Sequence, residues 1–464
     1  MKVTQVALRP TEASDAAGRP ALTPELLAAS GARYSRNNEG LDAILARIDP
    51  AKLDKSVDSI FKMIDYGHAS IADMAPVALF IDGVSLYLAY YLWTLSPVAG
   101  GQESSTRYIK LDADGLISPD ALGIPAGDRD AWRGAMDRAF AAYRDALGTW
   151  EGIAAADPDV ARIPRSLTDD KSEKAQKAVA RMRRNYAFDR ARYFLPVAAA
   201  TNVMLVQSAR AWVTVCQHLC SHPLAEARAL GDLVARELAL ATPRLLKHAA
   251  AKPSFEAGIR REFDAWRALA GRIPYSDGES EPTAFLDTFA PPGGLSGADA
   301  AADLEAHDNR YAYLGEGLRR TAVRFGWRAV AFAEIRDLNR HRTGTKYCPM
   351  TPVGFYHAAD ELPGGHMAAD AYRTLGDVGA VANRQARERL EAGDTTFAYW
   401  LLLGAQVPFE HTTTADKFLY EAELRTGAGA HYRYARHLRD ALRLWYAQYP
   451  ETRGRVLEGS AEPE

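Results

Sequence analysis

Residues 75–98 read APVALFIDGVSLYLAYYLWTLSPV, the longest apolar run of the chain. Asp82 interrupts it, Ser85, Thr94 and Ser96 dilute it, and two periods are mixed in it. Pro76–Gly83 has the pattern of a buried strand and Val84–Trp93 that of a buried helix. That mixture excludes a simple membrane span. A polar loop rich in Gly, Ser and Thr follows at Ala99–Thr106.

Working outward, the same sequence of features recurs. Gly83–Pro97 and Arg328–Arg342 both read as a helix running into a loop, and Leu95 aligned with Arg340 sets their register. Phe194–Val203 is similar to Leu401–Val407, and both lead into a helix. There Leu219-Cys220 matches Leu424-Arg425, and Ala225-Glu226 matches Ala430-His431. The second register is shorter, so the first copy carries a longer insert between its two parts. Shared order and spacing point to a duplicated unit.

Helical patterns fill residues 51–72, 127–190, Ser208–His222 and Ala225–Ala250, and one further strand is expected at Leu401–Phe409. Residues 272–307 are turn-rich, with Pro282, Pro291-Pro292-Gly293-Gly294 and Gly297. The expected division is a first repeat with an N-terminal extension over 1–271, a linker over 272–307, and a second repeat over 308–464. The fold class is α+β and helix-rich, each repeat a sheet with long helices.

The chain has 464 residues and a net charge of −3, which gives no electrostatic case for a nucleic-acid or membrane partner. Three cysteines argue against a disulfide scaffold and for a reducing compartment. Met1-Lys2-Val3-Thr4-Gln5 has no targeting pattern, so a cytoplasmic location is expected.

Two motifs carry chemistry. Arg340-His341-Arg342-Thr343-Gly344-Thr345 ends the second-copy helix. Adjacent cationic groups repel unless they meet an anion, and guanidinium forks suit phosphate or a polarised ring carbonyl. Taken alone, it reads first as a basic helix C-terminus favoured by the dipole. Gln102-Glu103-Ser104-Ser105-Thr106-Arg107-Tyr108 sits in the matching loop of the first copy and, taken alone, is a hydrophilic turn. His68 after Gly67 suits a helix cap, and His411 before Thr412-Thr413-Thr414 a helix start. Cys216, His218, Cys220 and His222 alternate, so a helix turns them to different faces, and no metal site is expected. No glycine-rich dinucleotide fingerprint or phosphate-binding P-loop is present.

In matching places, the two motifs resemble the signature of the flavin-dependent (alternative, ThyX-type) thymidylate synthases, which is one segment in that family and looks split here. That signature runs Arg-His-Arg, two residues, Ser, one residue, Asn/Gln-Glu, one residue, Ser, one residue, Arg-Tyr. The second copy keeps Arg340, His341 and Arg342, with Thr345 for the first Ser, then departs into Lys346–Met350. The first copy has Leu95-Ser96-Pro97 instead, but keeps Gln102, Glu103, Ser105, Arg107 and Tyr108. Gly67-His68-Ala69-Ser70 is similar to the family's Gly-His-x-Ser, though Asp73-Met74 replaces its Glu-His. Ala191-Arg192-Tyr193-Phe194-Leu195-Pro196 is similar to Ala-Arg-x-x-Leu-Pro. The family's later Leu-Arg survives as Leu424-Arg425, while Cys220 and Leu230 replace the two later arginines in the first copy.

The resemblance implies transfer of a one-carbon unit from methylenetetrahydrofolate to C5 of a uridine nucleotide, with FAD and NADPH in the redox part. It assigns Gln102, Glu103, Ser105, Arg107 and Arg192 to the nucleotide, Arg192 at its phosphate. Arg340, His341, Arg342, Thr345, Arg425 and His68 go to the flavin, and Glu103, Ser105, Arg107 and Arg342 to the catalytic set. The family forms a homotetramer with shared sites. A fused pair therefore implies a homodimer of tandem chains and one composite site per pair, with Arg340 and Arg342 near Ser105 and Arg107 around one pocket. The departures leave two alternatives: a diverged flavoenzyme acting on a different or modified nucleotide, and a flavin- or nucleotide-binding protein without turnover.

Overall fold

The computed structural model describes residues 1–6, 22–34, 41–47, 53–65 and 69–460. Its described residues fall into two compact units. The first draws on 1–104, 116–126 and 199–263, the second on 105–115, 127–198 and 264–460.

The first unit holds strands β1 (Lys2–Val6), β2 (Pro76–Ser85), β3 (Gly100–Glu103) and β4 (Ala200–Ser208). They form one antiparallel sheet in the order β1-β2-β4-β3. Its helices include α1 (Leu53–Asp65) and α2 (Leu86–Leu95). Ser85 ends β2 and starts α2: its hydroxyl accepts from the Leu88 N–H at 2.9 Å and donates to the buried Glu226 carboxylate at 2.8 Å. Helix α2 is apolar on nearly every side and buries Leu86, Tyr87, Leu88, Leu92 and Trp93, as a helix without a polar face must.

The second unit begins with α3 (Arg129–Ala156) and α4 (Glu173–Ala191), which pack together. Two more helices belong to the first unit, α5 (Ala209–Cys220) and α6 (Ala225–Ala241), and Cys216 is buried in its core. The second sheet runs β5 (Ala284–Phe289), β6 (Ala322–Ala331), β9 (Ala405–Thr414), β7 (Thr345–Tyr347), with β8 (Gly354–Phe355) also on β9. Helix α7 (Phe332–Leu338) follows β6, and α8 (Ala415–Thr426) and α9 (Tyr432–Gln448) follow β9.

The two sheets share one plan. Each central pair is antiparallel with a bulge near the end of its first strand, at Asp82/Val84 and at Trp327/Val330. Leu86 N–H donates to the Ala199 carbonyl at 3.0 Å; in the matching place Ala333 donates to Leu403 at 2.8 Å. Ala209 donates to Ala75, and Ala415 to Thr321, each at 2.8 Å. These bonds fall within one or two residues of the registers read from the sequence.

Several expectations change. The span 272–307 carries β5, which pairs along β6 from Ala284↔Trp327 to Phe289↔Ala322, and a helix at Gly297–Ala302 with a Ser296/Asp299 capping box. The alternation in Ala284–Phe289 is period-two, but flanking prolines and glycines hid it. The strand expected at Leu401–Phe409 starts later, at Ala405. The insert 127–198 and the Ser105–Gly115 loop group with the second copy's sheet. The reason lies at Tyr193–Val197, which is laced to 401–404: Val197 donates to Leu401 at 3.0 Å, Leu403 to Leu195 at 2.8 Å and Gly404 to Tyr193 at 2.7 Å.

Candidate functional site

Helix α7 is the counterpart of the all-apolar α2, yet it buries two acids, Glu334 and Asp337. An unpaired buried carboxylate is costly, so each needs partners. Glu334 accepts from the Tyr193 hydroxyl at 2.7 Å and lies 3.1 Å from His437 Nε2. Asp337 takes Arg192 Nη1 at 2.9 Å, and Arg340 Nη2 stands 3.6 Å away. Burial pushes the Asp337 carboxyl up, but the guanidinium groups of Arg192, Arg340 and Arg107 hold it well below the usual carboxylate range. Arg192 is 1% exposed, and its Nε and Nη2 find no hydrogen-bond partner among the described residues.

Arg107 forks onto Asp189, with Nε donating at 2.8 Å and Nη2 at 3.2 Å, and Nη1 meets the Tyr434 hydroxyl at 3.5 Å. The Ser105 hydroxyl accepts from the Arg107 N–H at 3.2 Å and shapes this turn. Burial opposes the Arg107 charge, but Asp189 outweighs it and raises the pKa.

The Arg340–Thr343 loop rests on a second buried cluster. Arg425 Nε donates to His341 Nε2 at 2.8 Å, so that ring nitrogen carries a lone pair. Burial pushes the His341 imidazole down to about 3, keeping it neutral. His411 Nε2 donates to the Thr343 carbonyl at 2.7 Å, and its Nδ1 lies 3.0 Å from Glu421. Burial pushes Glu421 up, but His341, His411 and Lys346 hold it down to about 2. Lys346 Nζ donates to the His341 carbonyl, and burial lowers its pKa.

Above this cluster opens a cavity of about 600 Å³. Arg340, His341, Arg342 and Arg425 form one wall, while Arg310, Arg319 and Lys417 add positive charge. Tyr311, Tyr313 and Tyr420 supply ring faces, and the Tyr311 and Tyr420 rings stand 6.0 Å apart. This donor set fits a ligand with a diphosphate and planar rings, which is the chemistry of FAD.

The expected site residues therefore sort into groups. Arg340, His341, Arg342 and Arg425 share the cavity wall. Arg107 and Arg192 converge on Asp189 and Asp337 and do not line that cavity. Arg340 belongs to both groups. An anion was expected to satisfy the clustered arginines; carboxylates of the chain itself, half-buried Asp189 and buried Asp337, do so for Arg107 and Arg192. Gln102 lies exposed on β3, and Glu103 accepts from Trp93 Nε1 at 3.0 Å. Thr345 is an exposed residue of β7, paired with Thr412, and does not line the cavity. His68 lies outside the described residues. His411 is no helix start but a buried residue of β9 supporting the loop. The sequence reading missed Asp189, Asp337 and Glu421. The signals were present: Asp337 stands three residues before Arg340 and Glu421 four before Arg425, both helical neighbours.

Residues 21–244 match the family model described as thymidylate synthase complementing protein. The match spans just under half of the chain, and over those residues the chain is similar to that family. A UPF0159 protein of Chlamydia pneumoniae is 24% identical over 373 residues, 68% of this chain and 67% of its own length. A second, UPF0159 protein Ta1429 of Thermoplasma acidophilum, is 24% identical over 263 residues. That match covers 53% of this chain and 52% of the relative, so the chain spans about half of that relative's length. A flavin-dependent thymidylate synthase of Clostridium tetani is 24% identical over 226 residues, 48% of this chain and 82% of the relative. A solved UMP/dUMP methylase from Streptomyces cacaoi aligns with a TM-score of 0.32 at 15% identity, over 53% of this chain and 93% of that one.

Proposed function

We propose that this chain is a flavin-dependent, thymidylate-synthase-like enzyme. It methylates C5 of a uridine nucleotide with methylenetetrahydrofolate as carbon donor and NADPH as reductant. The observation that carries the reading is Arg340. It lines the cavity that fits FAD and also faces Asp337, the carboxylate that holds Arg192. One side chain thus connects the two groups of family residues.

In this reading Arg340, Arg342 and Arg425 hold the flavin phosphates or polarise the pyrimidine carbonyls, and neutral His341 orients Arg425. Ser105 and Arg107 hold the nucleotide, and Arg192 faces its phosphate with the two nitrogens that Asp337 leaves unbonded. Bound flavin supplies the hydride. The chain orients, excludes water and stabilises charge. It acts as a cytoplasmic homodimer of tandem chains.

Two assays test this: uptake of FAD by the purified chain, followed by visible absorbance, and release of tritium from C5 of labelled dUMP with methylenetetrahydrofolate and NADPH. FAD uptake with tritium release and dTMP formation is the expected result. No FAD uptake overturns the flavoenzyme reading. A second reading is favoured by the Asp189 fork on Arg107, which occupies the guanidinium the family uses for its nucleotide. FAD uptake without dUMP turnover would select it: another or modified nucleotide, or binding without turnover.

A further inference from the structure

Helices α3 and α4 carry no family motif except Ala191 at the end of α4, yet they enclose a groove of their own. From α3 come Arg144, Leu147, Gly148 and Glu151; from α4 come Arg181, Arg184, Asn185 and Phe188. Each set has the spacing i, i+3, i+4, i+7, so each is one helical face. Tyr108 and Lys110 close the end, and the groove holds about 580 Å³, in the range of small-molecule sites.

Its charge is one-sided. Four cationic side chains face one acid, Glu151. Lys110 has Asp112 at 3.4 Å, but Arg144, Arg181 and Arg184 make no hydrogen bond or ion pair through their side chains among the described residues. Three other arginines of this unit are paired with carboxylates: Arg107 with Asp189, Arg190 with Glu361 at 3.2 Å, Arg192 with Asp337. The floor is apolar, made by the buried side chains of Leu147 and Phe188, and the Tyr108 ring is 60% exposed above it. A methyl group at Gly148 would meet nothing within 4 Å, so this helical glycine keeps the wall open.

We propose that the groove between α3 and α4 binds a nucleoside di- or triphosphate, at a site separate from the cavity beside Arg340. Guanidinium forks pair with phosphate oxygens, and the excess positive charge calls for more than a monophosphate. The apolar floor and the Tyr108 ring receive the base, and the Asn185 amide offers both a donor and an acceptor to its edge. Tyr108 follows Arg107, whose guanidinium lies 5.7 Å from the ring centre, so occupancy is felt at the candidate nucleotide loop.

The test uses the full chain and calorimetric titration with ATP, dUTP, dUMP, inorganic tripolyphosphate and hexaglutamate. Saturable binding of a nucleoside triphosphate, tighter than of dUMP, is expected. The double variant Arg181→Gln/Arg184→Gln should weaken it about tenfold, the size expected for two partly exposed charge contacts. Gly148→Leu fills the groove without removing a charge and favours the helix; it should weaken binding while FAD uptake and melting temperature hold. Absence of saturable nucleoside triphosphate binding overturns the proposal. So does binding unchanged in both variants, and so does tripolyphosphate or hexaglutamate bound as tightly as the nucleotide.

Discussion

Asp337 shows how a single side chain decides what its neighbours can do. With it ionised, Arg192 sits at 1% exposure without an uncompensated charge. Asp337→Asn keeps the shape and removes the charge, leaving a buried guanidinium unpaired. The expected loss is about 3–5 kcal/mol of folding stability, measured by urea unfolding at neutral pH; a change within experimental error would show that Arg192 is held otherwise. His341 supports a prediction in pH. Its ordinary pKa near 6.5 falls to about 3 in the fold, so between these values the unfolded chain binds more protons. Its contribution is complete above about pH 6.5 and is lost as pH falls toward 3. Glu421 acts in the same sense from about 4.5 down to 2. His222 and His357 are also pushed down by burial, to about 3 and 4, and share the slope. His341→Gln keeps an acceptor for Arg425 and should reduce the stability difference between pH 7 and pH 5; an unchanged difference would contradict a neutral His341. At this scale the cationic half of the site was legible in the sequence. Of its acidic half, Asp337 and Glu421 left a helical spacing that could have been read, but Asp189 did not, because it reaches Arg107 only through the tertiary fold.

At the scale of elements, the signature loop depends on its glycine. Gly344 has φ +64, and a Cβ there would stand 1.9 Å from the Thr412 carbonyl oxygen of β9. Gly344→Ala combines left-handed strain with a backbone clash, so β7 must pull away from β9. The expected cost is about 1–3 kcal/mol, with the loop disturbed as well, read by melting temperature and FAD affinity together. An unperturbed variant would mean that the loop is not fixed by its strand. The walls of the cavity and the Asp189 fork predict a division of labour. Arg340→Ala should weaken FAD about tenfold, with a smaller effect on dUMP, and Arg107→Ala the reverse. Separate titrations of the two ligands decide it, since equal loss of both in each variant would indicate a folding defect. Elements with a clean period were legible, such as β2 and α2. β5 was not, because its six residues lie between turn formers, and α4 hid its role as a groove wall because a basic helix face normally just meets water.

At the scale of the whole molecule, the duplicated sheets set the expectation for assembly. Each central strand pair carries its bulge and its two strand-to-helix hydrogen bonds in corresponding places, so the two sheets are alike. About half of this chain also accounts for 82% of the Clostridium tetani enzyme. If the ancestral assembly has four copies, two tandem chains restore it. Both units keep large apolar side chains in solvent, Val98 at 83% and Leu240 at 72% in the first and Phe289 at 58% in the second, the kind of surface an obligate interface covers. Light scattering should therefore give twice the 50.7 kDa of the chain, unchanged on dilution through the micromolar range. Val98→Asp combined with Leu240→Asp should shift it toward the monomer and weaken FAD uptake in parallel, because the family's sites draw on several subunits. A 50.7 kDa particle that takes up FAD at full affinity would show that one chain completes its own site, and the need for a second copy would fall with it.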